Sequence, residues 1–183
     1  MNRGRLLIFR LFRNTLLGSL FLITGCEEAI KPAGNESLTV IELKEPLIKT
    51  NKYLTRTEKD DIDEFVYRYK WQMKSSGTGL LYLIEAENAV RKAKYGDFIK
   101  AKYNIRLLNG DVVYDSEKDG LLEFQVGKGG VTAGIEEGIL LIGLHDKAKF
   151  ILPSHLAYGL LGDSKRIPPR SVLIYEIEII DLQ

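Results

Sequence analysis

The chain has 183 residues, 45% hydrophobic and 28% charged, with one cysteine and two histidines. That composition is globular and excludes a collagen-like, low-complexity or wholly disordered chain, and one cysteine excludes an internal disulfide framework or a cysteine-rich metal site. The formal charge of +1 is unevenly spread: Arg3, Arg5, Arg10 and Arg13 lie in a first stretch of 25 residues without acids, and the remainder holds 22 basic against 25 acidic residues. A remainder near −3 carries no electrostatic footprint for nucleic acid.

Residues 1–25 have the layout of a secretory signal. The basic start is followed by the apolar run Leu16–Ile23, too short for a transmembrane helix of roughly 20 residues. The run ends in Leu22-Ile23-Thr24-Gly25-Cys26, which resembles the lipobox of bacterial lipoproteins. Cys26 would then be lipidated and become the new N-terminus, and two or three acyl chains anchor stably at about 0.8 kcal/mol per buried methylene. The alternative is a free, buried cysteine. The expected location is the cell envelope, on either leaflet.

Residues 26–56, with Pro32, Gly34, Asn35 and Pro46 and little periodicity, read as a tether. Thr57-Glu58-Lys59-Asp60 looks like a capping box, and Ile62, Phe65, Val66, Tyr69 and Met73 follow at helical spacing. This predicts an N-terminal helix over 57–75, with Thr57 as N-cap, docked on the domain or on a partner. Trp71 lies off the stripe.

From residue 77 the period changes. Strands are expected at Leu80–Glu85, at Ile99–Leu107 with clean alternation, and at Asp111–Asp115 after Asn109-Gly110, a favoured type I′ pair. Another is expected at Leu121–Val126, before Gly127-Lys128-Gly129-Gly130. A helix over Gly134–Ile142 carries Glu136 and Glu137 in its first turn, with Gly143 as its C′ residue. Strands at Lys147–Leu152 and Leu173–Ile179 close the chain. The sum is an α+β arrangement, a twisted sheet on one short helix.

Several chemistries fail on spacing. Gly-Lys is followed by Gly129, not Ser or Thr, and Thr132 breaks the dinucleotide glycine pattern. His145 and His155 are ten apart, with no pair at zinc-binding spacing, and no nucleophile elbow surrounds Ser154. Glu136 and Glu137, adjacent on a helix, point about 100° apart and make a poor acid–base dyad.

A different series remains. Its members are Tyr114-Asp115-Ser116, Phe124-x-x-Gly127, Val131-x-x-Gly134-Ile135-Glu136-Glu137-Gly138, Ala157-Tyr158-Gly159 and Ile167-Pro168-Pro169, followed by the last alternating strand. In this order and spacing, over residues 77–183, the chain strongly resembles the FKBP-type peptidyl-prolyl cis-trans isomerases. With its lipoprotein-like start it is also similar to the envelope isomerases of gliding Bacteroidetes.

The resemblance implies a twisted antiparallel sheet of five or six strands curled around the short helix, with the N-terminal helix as an addition. It implies an apolar pocket binding X-Pro polypeptides, with no cofactor and no metal. Tyr158 and Asp115 carry over as the catalytic pair. Tyr103, Tyr114, Phe124, Val131, Thr132, Ile135, Ile167 and Tyr175 carry over as substrate-binding residues, Thr132 through its backbone N–H. Tyr103, Phe124, Val131 and Tyr175 would equally be core residues in any such sheet, and Asp115 after a hairpin is otherwise a turn cap. Ile135 stands where the family usually has tryptophan, Leu122 where an aromatic is common, and Asp163 and Arg166 lie in the loop over the pocket. Two functions follow: an active prolyl isomerase, or a proline-peptide-binding chaperone with little turnover.

Overall fold

The computed structural model describes residues 40–183. The signal-like segment 1–25, Cys26 and the start of the tether lie outside the described residues.

The first element is a long helix, α1 (Val40–Tyr69). It begins seventeen residues before the expected cap, so much of the supposed tether is helical and Pro46 falls inside it. Thr57 is not an N-cap. Its hydroxyl donates to Tyr53 O one turn back, and Glu58 is drawn away to another segment. Ion pairs Lys59–Asp63 and Glu64–Arg68, each one turn apart, support the second half. Residues 44–53 are solvent-exposed, with only Leu54 and Glu58 drawn in before Ile62.

Seven strands form one antiparallel sheet: β1 (Lys74–Ser75), β2 (Leu81–Ala86), β3 (Phe98–Leu107), β4 (Val112–Asp115), β5 (Leu122–Gln125), β6 (Lys147–Leu152) and β7 (Leu173–Leu182). Their order is β1-β2-β6-β7-β3-β4, and β5 also pairs with β3. The ten-residue β3 does two jobs, pairing its first half with β5 and its second half with β4. The two-residue β1 occupies the end of the expected helix, which stops at Tyr69; so short a strand carries no period of its own. The α+β class and the curled sheet agree with expectation.

The β3–β4 turn differs from type I′. Only Gly110 has positive φ (95°), whereas Asn109 accepts from Asp111 N. Gly110 N bonds to Leu107 O and Leu107 N to Asp111 O, giving a three-residue loop with a bulge.

A one-turn helix α2 (Ser116–Asp119) follows β4, and α3 (Ala133–Ile139) packs in the curve of the sheet. α3 ends three residues early. Leu141 N and Ile142 N tighten to three-residue bonds, freeing Ile142 O to accept Ala93 N at 2.8 Å. Gly143 therefore does not cap the helix. It faces Lys92, and a Cβ there would stand 2.0 Å from Arg91 O.

The core has two parts. Ile135, Ile139 and Ile142 meet Ile99, Ala101, Ile105, Phe150, Leu152, Leu173, Tyr175, Ile177 and Ile179 on the concave face. On the opposite face Ile62 and Phe65 of α1 cover Ile151, Val172 and Ile174, with Trp71 edge-on to Phe65 at 5.5 Å. Burying Ile62 and Phe65 stabilises docking by about 1.5–3 kcal/mol each. Asp146, 1% exposed, is satisfied by Asn88 N, Ala89 N and Gly143 N.

Candidate active site

The alternation of β3, β4 and β7 sets one row of side chains across the sheet. Ile105 is the register partner of both Tyr114 and Tyr175, and Tyr175 in turn pairs with Phe150. Tyr103, two residues earlier on β3, shares that face. The start of α3 closes the floor with Ile135, 1% exposed. The loop before α3 brings Val131 and Thr132, and the turn after β6 brings Tyr158. Together these residues, Phe150 excepted, line a cavity of about 240 Å³, completed by Leu122 and Gly130.

Seven of the expected site residues thus converge: Tyr103, Tyr114, Val131, Thr132, Ile135, Tyr158 and Tyr175. Phe124 and Ile167 do not line the cavity. Both are buried in the concave core. Asp115 does not line it either. Its carboxylate accepts Glu117 N (2.8 Å) and Asn104 Nδ2 (2.9 Å), capping α2. Asp115 borders a separate polar cleft of about 520 Å³ with Lys102, Asn104, Glu176 and Glu178. The backbone bond from Glu117 and the amide of Asn104 hold its carboxyl below the usual range.

The acid beside the cavity is instead Asp163. One oxygen accepts the Tyr114 hydroxyl; the other accepts Lys165 N, Arg166 N and Ile167 N at 2.8–2.9 Å. Burial pushes this carboxyl up, but the Tyr114 hydroxyl and three backbone N–H groups outweigh it and hold the pKa at about 2. The same bond, with burial, lifts the Tyr114 phenol to about 12. Arg166 lies 4.6 Å from the Tyr114 ring centroid, a cation–π distance, and reaches Asp119 at 2.9 Å and Val113 O at 3.0 Å. One side of the mouth is therefore a polar clamp on a tyrosine. The sequence marks Asp163 and Arg166 as departures from the family pattern but carries no signal for their partners.

The other hydroxyls are differently placed. Tyr158 is 39% exposed, and its hydroxyl has no hydrogen-bond partner among the described residues. Burial, then the Asp163 charge, raises its pKa. Burial likewise pushes Tyr103 up, with Asp119 next, and pushes Tyr175 well above its ordinary value. Thr132 Oγ1 is buried beside Tyr175 and has no hydrogen-bond partner among the described residues. The Thr132 N–H has no acceptor among the described residues. The lining holds no carboxylate, thiol or imidazole. It offers a largely apolar seat with the Tyr158 hydroxyl and the Thr132 N–H free at its edge.

This fold and pocket define a class, and relatives of known kind agree with it. The sequence pattern of the FKBP-type peptidyl-prolyl cis-trans isomerases matches residues 89–180. FK506-binding protein 2 of Yarrowia lipolytica is 37% identical over 106 residues, covering 57% of this chain and 73% of that protein. The peptidyl-prolyl cis-trans isomerase FPR2 of Saccharomyces cerevisiae is 33% identical over 107 residues, covering 57% of this chain and 79% of that one. A probable FKBP-type isomerase of Haemophilus influenzae is 34% identical over 111 residues, 60% of this chain but 45% of the relative. The crystal structure of AtFKBP13 superposes with a TM-score of 0.59 at 32% identity, covering 62% of this chain and all of that one. The chain belongs to the FKBP-type peptidyl-prolyl cis-trans isomerase family, enzymes that interconvert cis and trans X-Pro bonds.

Proposed function

We propose that the 240 Å³ cavity seats the proline ring of an X-Pro segment and accelerates rotation without any covalent step. Resonance sets a rotational barrier of about 18–20 kcal/mol, and uncatalysed X-Pro exchange takes about 10–100 s. The twisted amide has lost its resonance and is less dipolar than either planar form, so removal from water favours it. Ile135, Val131, Tyr175 and Tyr103 form the seat. The free Tyr158 hydroxyl and Thr132 N–H bind the flanking carbonyls; each bond, where stronger in the transition state, contributes about 1 kcal/mol. Asp163 keeps Tyr114 neutral and fixed at the rim rather than acting on the amide. The convergence of four tyrosines and Ile135 on one small cavity carries this reading.

A protease-coupled assay on Xaa-Pro peptides with several residues X tests it. Accelerated isomerisation is the expected result. Binding of proline peptides by folded protein without acceleration would instead support a chaperone or assembly module.

The N-terminal segment supports a finer proposal. The run Leu22-Ile23-Thr24-Gly25-Cys26 after a basic, apolar start makes the chain an envelope lipoprotein acting on exported polypeptides, similar to the isomerases of gliding Bacteroidetes. Processing at Cys26 leaves 158 residues, membrane-bound through lipid. Among the described residues no helix is long and apolar enough to cross a membrane. Metabolic labelling with palmitate is expected to mark the native chain and not Cys26→Ser; equal labelling of both overturns the anchor.

A further inference from the structure

Packing alone does not account for one contact between α1 and the isomerase fold. The Glu58 side chain, 12% exposed, sits one turn before the buried anchor Ile62. Its Oε1 accepts Ser154 N at 2.5 Å and its Oε2 accepts Ser154 Oγ at 2.7 Å, joining residues 96 apart in the chain. Ser154 opens the 3-10 turn Ser154–Leu156 that leads to Tyr158. The Ser154 carbonyl then accepts Ala157 N at 3.1 Å and Gly159 N at 2.8 Å, closing the backbone around Tyr158 from both sides. Gly159 O accepts Arg170 N at 2.8 Å, and the Arg170 guanidinium returns to 3.8 Å from Glu58 Oε2. Arg170 has a φ of 57°, a left-handed conformation that a non-glycine residue keeps only where its surroundings hold it. A closed polar circuit, Glu58–Ser154–Gly159–Arg170, therefore frames Tyr158, a pocket tyrosine whose hydroxyl has no hydrogen-bond partner among the described residues.

We propose that Glu58 of the N-terminal helix is a positioning residue for Tyr158, clamping Ser154 so that the tyrosine hydroxyl is held where the substrate carbonyl arrives. The proposal rests on the reading of Tyr158 as a substrate-binding hydroxyl. It makes α1 part of the active site's support, although no α1 residue lines the cavity. A carboxylate suits this role because it takes both Ser154 donors at once, and charge-assisted bonds are the stronger kind.

The test is a double-mutant cycle on the full-length chain, with kcat and KM for an X-Pro peptide measured well below the melting temperature. Tyr158→Phe and Glu58→Ala are each expected to lower kcat/KM, Glu58→Ala by about tenfold. In the Tyr158→Phe background, Glu58→Ala is expected to change kcat/KM less than about twofold, because the hydroxyl it positions is gone. Ile62→Ala serves as the control: it weakens the same helix without touching Ser154, and is expected to lower Tm while keeping kcat/KM near wild type. Should Glu58→Ala fail to fold, Glu58→Gln takes its place in the cycle, since it keeps one acceptor for Ser154 N.

Wild-type kcat/KM in Glu58→Ala beside an impaired Tyr158→Phe overturns the positioning role alone. Losses that multiply in the double variant do the same, as does an equal loss in Ile62→Ala. Unchanged turnover in Tyr158→Phe overturns the Tyr158 reading and this proposal with it.

Discussion

Tyr114 donates its hydroxyl to the carboxylate of Asp163, 49 residues further along the chain, while Arg166 lies over the face of the same ring. The bond ties the end of β4 to the loop that precedes Ile167-Pro168-Pro169. Glycine helps it form. Gly162, at a φ of 70°, passes so close to Ile167 O that a Cβ would stand 2.2 Å away.

This pairing predicts the response to pH. The folded Asp163 pKa of about 2 lies below its ordinary 3.8, so its contribution is complete above the ordinary value and is lost as pH falls from about 4 to 2. The Tyr114 pKa is raised from 10.0 to about 12, so its contribution is complete below pH 10 and is lost as pH climbs toward 12. Asp163 and Tyr114 therefore leave stability unchanged between about pH 5 and 9. In Tyr114→Phe, the Asp163 carboxyl is expected to titrate at higher pH, read by carboxyl-carbon NMR; an unmoved titration contradicts the bond.

Tyr158→Phe removes a hydroxyl with no structural partner among the described residues. Melting temperature should stay within a degree or two, while kcat/KM falls about three- to tenfold, the worth of roughly 1 kcal/mol of hydrogen bonding. Isomerase kinetics and calorimetry on the same sample check both halves.

Asp115→Ala separates two roles. A helix cap is worth about 1 kcal/mol, so the variant should lose that much stability in urea unfolding and recover it in Asp115→Asn, an equally good cap. Turnover should stay near wild type in Asp115→Asn, because Asp115 lies outside the cavity. A large loss of kcat in that variant would return Asp115 to the chemistry.

Gly134→Ala tests how closely α3 lies on the sheet. A Cβ there would stand 2.6 Å from Leu152 Cγ and 3.1 Å from Leu156 O, so a methyl must displace β6 or the turn after it. Overpacking of this kind costs about 1–3 kcal/mol. Chemical denaturation should show the loss, and a neutral result would mean that α3 can lift from the sheet.

Local pattern determined much of this protein. Lys147–Leu152 is legible to the residue, because Pro153 stops a run whose type is clear. β3 alternates cleanly over Phe98–Lys102, because each residue there chooses between core and solvent. Motif spacing singles out Tyr103, Ile135, Tyr158 and Tyr175, and all four line one cavity, Tyr103 and Tyr175 through the sheet's pleat, Ile135 from α3 and Tyr158 from the turn after β6.

Only the tertiary structure decided the rest. Ile151 and Ile174 sit where alternation would predict solvent, yet both are buried, because α1 covers the outer face of β6 and β7. By sequence Glu58 looks like part of a capping box, Asp163 like a stray loop acid, and Asp115 like a turn cap that the family resemblance makes catalytic. The first two meet partners 96 and 49 residues away, and the third meets Asn104, 11 residues away across the β3–β4 pair. Periodicity encodes which face of a segment avoids water, but not which distant donor a carboxylate will meet. That depends on strand order and register, which exist only once the chain has closed on itself.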